Sequence, residues 1–308
     1  MRRRSWGLWT LGAAVAPAVG AATGSASAGA KPVPVRDGRL THPLAVPAGG
    51  EIKVAFLLSA DAELVDIAGP WGVFDYVFVG DDGRKPFQLY TVAASTEPLK
   101  VSGSMTLVPN HSVADAPTPD LVVVPAMDLD KLAPAALAWL QAVQQHTTLT
   151  MSVCNGSFVL AQAGLLDGKR SAAHHGGVGI MRALYPKVTV VRGLRFIEDG
   201  KIATSGGLTS GTDLALRVVE RYFGRDVARQ TARQLEYQGT GWMFPNSNAE
   251  FAKKAVGTRA RPICPVCESP LTLSKVVTWE DQGKTWRFCS EWCRDQFTAN
   301  PKLFSSLI

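Results

Sequence analysis

From residue 51 to about residue 245 the chain alternates short apolar runs with stretches whose apolar positions recur at helical spacing. The runs predict strands near 52–58, 87–93, 120–125, 149–153 and 201–204, and the amphipathic stretches predict helices near 69–78, 134–146, 155–164, 176–184, 209–223 and 226–235. Strands and helices in this alternation build an α/β domain, a parallel sheet covered by helices on both faces. Ligands of such sheets bind beyond the carboxyl ends of the strands.

The flanks read differently. Arg2, Arg3 and Arg4 precede a Gly/Ala-rich apolar run from Leu8 to Ala22, and Ala26-Ser27-Ala28 and Ala28-Gly29-Ala30 offer small-residue cleavage sites. Residues 1–30 therefore read as an export signal, which implies a periplasmic or secreted protein. Consecutive arginines before a weakly hydrophobic core favour the twin-arginine route, although Arg2 stands where Ser or Thr is usual and Gly7 where Leu is. Gly, Pro and Thr dilute the run below the roughly 20 apolar residues of a membrane span. Residues 31–50 read as a Pro/Gly-rich linker, 246–260 as a basic linker and 261–308 as a separate small module.

With 308 residues and 46% apolar content, the chain can bury one sizeable core and support one accessory module. Its formal charge of +6 falls to +3 once the three leader arginines are set aside, which leaves no electrostatic footprint for nucleic acid. The expected partners are a small-molecule ligand and a metal ion, and the expected assembly is a homodimer.

The chemistry concentrates at Met151-Ser152-Val153-Cys154-Asn155-Gly156-Ser157, where an apolar run ends in a cysteine followed by small residues and then a helical stretch. A thiol at such a strand-turn-helix elbow faces unpaired N–H groups and the positive end of a helix dipole, which predicts a lowered pKa and a nucleophile. The alternative is a buried cysteine that packs as a small hydrophobe.

The run from Ser152 to Ala161, continuing through Ala163-Gly164-Leu165-Leu166-Asp167-Gly168, resembles the elbow of the ThiJ/PfpI superfamily. Asp66-Ile67-Ala68-Gly69-Pro70-Trp71-Gly72 resembles that family's acidic turn, Asp120 to Pro125 its strand before the oxyanion loop, and Thr204 to Asp213 its late glycine turn. The resemblance spans residues 51 to about 245 and is nearest to isocyanide hydratases and the ligand domain of AraC-type regulators. It implies a flavodoxin-like, class I glutamine amidotransferase-like sandwich without a cofactor in the α/β domain. It also implies that Cys154 attacks a small electrophile, that Asp66 shuttles its proton, that His174 assists, and that backbone N–H groups of Asn155 and of the 125–127 loop hold the developing charge. Asp66 also reads as a helix N-cap, and His174 equally as a structural histidine. Asn155 stands where PfpI-type proteases carry His, which argues against a peptidase. Relatives carry Pro-Gly-Gly where this chain has Pro125-Ala126-Met127, so a binding module without catalysis is the competing reading.

The other four cysteines form two close pairs, Cys264/Cys267 and Cys289/Cys293, with 21 residues between them. Two thiolate pairs in a module too small to core itself suit a tetrahedral Zn²⁺ or Cu⁺ site, with disulfides as the alternative. Cys289 to Phe297 with Asn300-Pro301-Lys302-Leu303-Phe304 resembles the YHS domain, whose usual Gly-Met after the first pair is Glu268-Ser269 here. A non-enzymatic, metal-handling or redox-sensing protein is the alternative to a hydratase.

Overall fold

The structure, a computed structural model, describes residues 42–258 and 260–305, so the expected export signal and the linker up to residue 41 lie outside the described residues. Seven strands form the main sheet: β1 (Ile52–Leu57), β2 (Phe87–Ala93), β3 (His111–Ser112), β4 (Leu121–Val124), β5 (Leu149–Ser152), β6 (Phe196–Asp199) and β7 (Ile202–Ser205). Their order is β6-β7-β5-β4-β1-β2-β3, and every pairing is parallel except that of β6 with β7. The α/β class expected from the alternation is the one observed.

Six helices cover the sheet: α1 (Leu64–Asp75), α2 (Pro134–Val143), α3 (Gly156–Gln162), α4 (Val178–Leu184), α5 (Thr209–Phe223) and α6 (Arg225–Gln234). Alternate residues of β1 serve opposite cores. Ile52, Val54 and Phe56 pack with α1, α5 and α6, whereas Ala55 and Leu57 pack with α2, α3 and α4. A strand buried on both faces must be apolar throughout, which is why these strands read as continuous runs.

Three elements differ from expectation. Helix α1 begins at Leu64, five residues before the 69–78 stretch, because Glu63 caps it by accepting from the Val65 N–H at 3.4 Å. Pro70 lies inside that helix and only forfeits one main-chain bond, so it does not mark the start. The edge strand β6 carries just two apolar residues, Phe196 and Ile197, and β3 is two residues long; neither has a readable period.

The C-terminal module is a hairpin, β8 (Val277–Asp281) and β9 (Lys284–Phe288), followed by α7 (Glu291–Ala299) and α8 (Pro301–Ser305). Its core of Val266, Phe288, Phe297 and Phe304 is completed by Ile180 and Ala183 of α4. The module thus borrows part of its apolar burial from the α/β domain. Among the described residues, no helix is long and apolar enough to cross a membrane.

Candidate active site and thiolate cluster

Cys154 occupies the turn between β5 and α3 with φ of 59°, a left-handed conformation that bulky residues avoid. The turn is clamped from three sides. The Cys154 N–H donates to the Gly206 carbonyl at 3.0 Å, the Val153 N–H to the Val124 carbonyl at 3.0 Å, and the Ser157 hydroxyl to the Cys154 carbonyl at 3.2 Å. Gly156 makes the turn possible: a Cβ there would collide with the Val124 carbonyl oxygen and lie 2.8 Å from that of Pro125.

Asp66, on the first turn of α1, is fully buried beside this sulfur. Its Oδ2 accepts from the Ala126 N–H at 3.0 Å, whereas Oδ1 has no hydrogen-bond partner among the described residues. Burial pushes the carboxyl up to about 7, against the pull of the Ala126 and Leu208 N–H groups. Its N-cap reading is corrected, since Glu63 holds that place.

The expectation of a lowered thiol pKa is overturned. Burial, then the Asp66 charge, pushes the Cys154 thiol up to about 12, and the N–H groups of Asn155 and Leu208 offset this only in part. Cys154 is 6% exposed and shares its surroundings with a carboxylate, so desolvation and like charge outweigh the helix end. Between about 7 and 12 the pair carries its negative charge on Asp66 and its proton on Cys154.

Asn155 precedes α3 without capping it, and its Oδ1 is buried with no partner. The expected role of the 125–127 loop is also corrected in part: the Ala126 N–H is already committed to Asp66. Leu208 takes its place beside the sulfur. It precedes α5 at φ of 48°, and the glycine turn Gly206-Gly207 before it is the signal that pointed to this spot. His174 Nδ1 accepts from the Gly176 N–H at 3.2 Å, and its ring lies 4.2 Å from that of His175. Burial, then His175, lowers the His174 pKa, which favours the neutral imidazole. No hydrogen bond joins it to Cys154 or Asp66 among the described residues.

In the C-terminal module the sulfurs of Cys264, Cys267, Cys289 and Cys293 lie within 4.8 Å of one another, and none is in a disulfide. Cys267 and Cys289 are 3.4 Å apart and Cys289 and Cys293 3.6 Å. A tetrahedral ion with metal–sulfur bonds of about 2.3 Å requires sulfurs about 3.8 Å apart, so the set fits a thiophilic ion with little adjustment. The sequence builds this cage from two turns: the Cys264-to-Cys267 knuckle and the start of α7, where the Ser290 hydroxyl accepts from the Cys293 N–H at 3.2 Å.

A mostly parallel sheet with a left-handed cysteine at the turn after β5 defines the class. The family model described as the DJ-1/PfpI family matches residues 52–221, and the chain belongs to that family. It is 29% identical over 220 residues to the isonitrile hydratase of Pseudomonas putida, covering 68% of this chain and 89% of that protein. It is also 29% identical over 151 residues to the HTH-type transcriptional regulator CdhR of Pseudomonas aeruginosa, where it spans only 45% of the regulator's length. Two solved structures share the fold. A ThiJ/PfpI family protein from Pseudomonas syringae superposes with a TM-score of 0.53 at 21% identity, covering 61% of this chain and 76% of that one. Drosophila melanogaster DJ-1beta superposes with a TM-score of 0.52 at 19% identity, covering 61% and 100%.

Proposed function

We propose that the α/β domain is a cysteine-dependent hydratase of small electrophiles such as isocyanides, carried by an exported, homodimeric protein whose YHS-like tail holds Zn²⁺. The observation that carries this reading is the pairing of Cys154, at the left-handed elbow, with an Asp66 carboxyl that titrates near neutrality. The similarity to an isonitrile hydratase over 89% of that protein supports it.

In the first step Asp66 takes the proton from Sγ as sulfur bonds to the terminal isocyanide carbon, and the same proton is returned to that carbon, giving a thioimidate. Water then adds across the C=N bond, its oxygen bonding to carbon with one proton retained and the other passing to nitrogen. Collapse of the tetrahedral adduct breaks the C–S bond, restores the thiol and releases an N-substituted formamide. One water is consumed and no electrons are exchanged. The Asn155 and Leu208 N–H groups stabilise the negative charge on sulfur as its proton leaves. Because Asp66 acts first as a base, activity rises with pH through about 7. The four sulfurs would hold the metal and leave no open coordination position, so the ion organises the module and takes no part in hydration.

The test is formamide production from cyclohexyl isocyanide by the wild type, Cys154→Ser and Asp66→Asn. Both variants should lose turnover without losing the fold, and full activity in either removes that residue from the mechanism. A ligand- or redox-sensing role is the second reading. Its ligand-sensing form is favoured by the commitment of the Ala126 N–H and by a thiol that stays protonated. Absence of turnover over a range of isocyanides, with ligand binding retained in Cys154→Ser, would decide for it.

A further inference from the structure

Glu268 follows directly on the metal-binding Cys267, at the position where the resembled module has glycine, and its φ is 60°. A non-glycine residue is disfavoured in this conformation, so something must hold it there. Its carboxylate is buried in an ion pair with Arg192 of the α/β domain and accepts from the Ala255 N–H at 3.1 Å, and His175 Nδ1 lies 3.8 Å away. A buried pair of this kind adds directionality that apolar packing lacks. On the other side of the same contact Gly176 is bare because a Cβ would collide with the Cys267 carbonyl oxygen. The knuckle is therefore seated in one place on the turn that carries His174.

Seating it there completes an open cleft of about 580 Å³ between the two parts of the chain. The α/β domain supplies Met127, Phe158, Asn155 and Asp130, and the module supplies Cys267 and Trp292. Its walls mix polar and apolar groups, with Met127, Leu129, Phe158, Ile180 and Leu184 on the α/β side and Trp292, 47% exposed, on the module side. Its charge is one-sided: Asp128 and Asp130 line it, and no lysine or arginine does among the described residues. Asp128 is paired with Lys131 at 3.6 Å, whereas Asp130 has no ion-pair partner among the described residues. Four thiolates around a divalent ion leave the knuckle negative as well. An anion is repelled from such a cleft, and a cation gains from the carboxylates and from the indole face.

We propose that this cleft is a binding site for a lipophilic organic cation, and that it exists only while metal keeps the knuckle seated. The inference is independent of any turnover at Cys154.

Three fluorescent probes of similar bulk and different charge test it on the zinc-loaded protein: thioflavin T (cationic), N-phenyl-1-naphthylamine (neutral) and 1-anilinonaphthalene-8-sulfonate (anionic). Thioflavin T should bind at least tenfold tighter than the neutral probe, and the anion more weakly than either. Asp130→Asn and Trp292→Ala should each weaken thioflavin T about tenfold with zinc content and circular dichroism unchanged. Glu268→Ala and chelation should abolish saturable binding. Equal or tighter binding of the anion, or thioflavin T affinity unchanged in both Asp130→Asn and Trp292→Ala, overturns the site. Affinity retained after zinc removal overturns its dependence on metal.

Discussion

The two sulfur centres of this protein place their protons in opposite ways. Cys154 stands alone beside a carboxylate; burial and like charge hold its proton on sulfur and leave the negative charge to Asp66. In the cluster the sulfurs answer to one another. Hydrogen bonding to Cys264 and Cys293 draws Cys267 well below the usual thiol range, while Cys289 is pushed up to about 11 by burial and by Cys267, and Cys293 rises further through its hydrogen bonds to Cys264 and Cys267. A lone buried thiol beside an acid stays neutral until a substrate draws its proton away. A cluster keeps one thiolate cheaply and needs a cation to ionise the rest.

The largest effect that can break this contrast is metal removal. Zinc-loaded protein should contain one ion per chain, and chelation under reducing conditions should forfeit roughly 10 kcal/mol of coupled binding and folding in the module. Hydrogen exchange over 261–305 should accelerate, and that of α4 with it, because Ile180 and Ala183 complete the module's core. A tail equally protected without metal would show that the sulfurs are dispensable.

Next in size is the cost of charging Asp66. Its folded pKa of about 7 lies above the ordinary 3.8, so folding retains a proton that the unfolded chain releases. Stability tied to this group is whole below pH 4, falls as pH rises towards 7 and stays lost above it, a difference of about 4 kcal/mol. Asp66→Asn should therefore exceed the wild type in denaturant stability by about that amount at pH 8 and match it near pH 4. Equal stabilities at both pH values would mean that the carboxyl is not under strain.

The same substitution removes the like charge from Cys154. Iodoacetamide should label Cys154 slowly in the zinc-loaded wild type at pH 8 and about tenfold faster in Asp66→Asn, as peptide mapping can read. Equal rates would assign the raised thiol pKa to burial alone. Smallest of all, Cys154→Ser should shift stability by no more than about 1 kcal/mol, since a hydroxyl can keep the surrounding polar contacts. A larger loss would make Cys154 a packing residue first.

The central strands and the elbow were legible because buried parallel strands must be apolar from end to end and because only small residues tolerate the turn after Cys154. The charge state of the thiol was not. The helix end that lowers a thiol's pKa is visible in the chain order, but the acid that raises it lies 88 residues earlier and meets it only in the folded sheet. Leu208 escaped notice for a related reason, as its contribution is a main-chain N–H that any residue could provide. The pairing of Glu268 with Arg192 joins two charged residues that look like ordinary surface positions until the module docks.

Lys254 shows how far the two parts of the chain depend on one another. Its ammonium is buried and donates to the carbonyls of Pro265 and Phe304, both in the module. A shortened chain ending at residue 258 would strip that ammonium of both acceptors and uncover Ile180 and Ala183 on α4. Proteolytic loss of the tail would thus leave a sticky apolar face on α4, and aggregation would follow the cut.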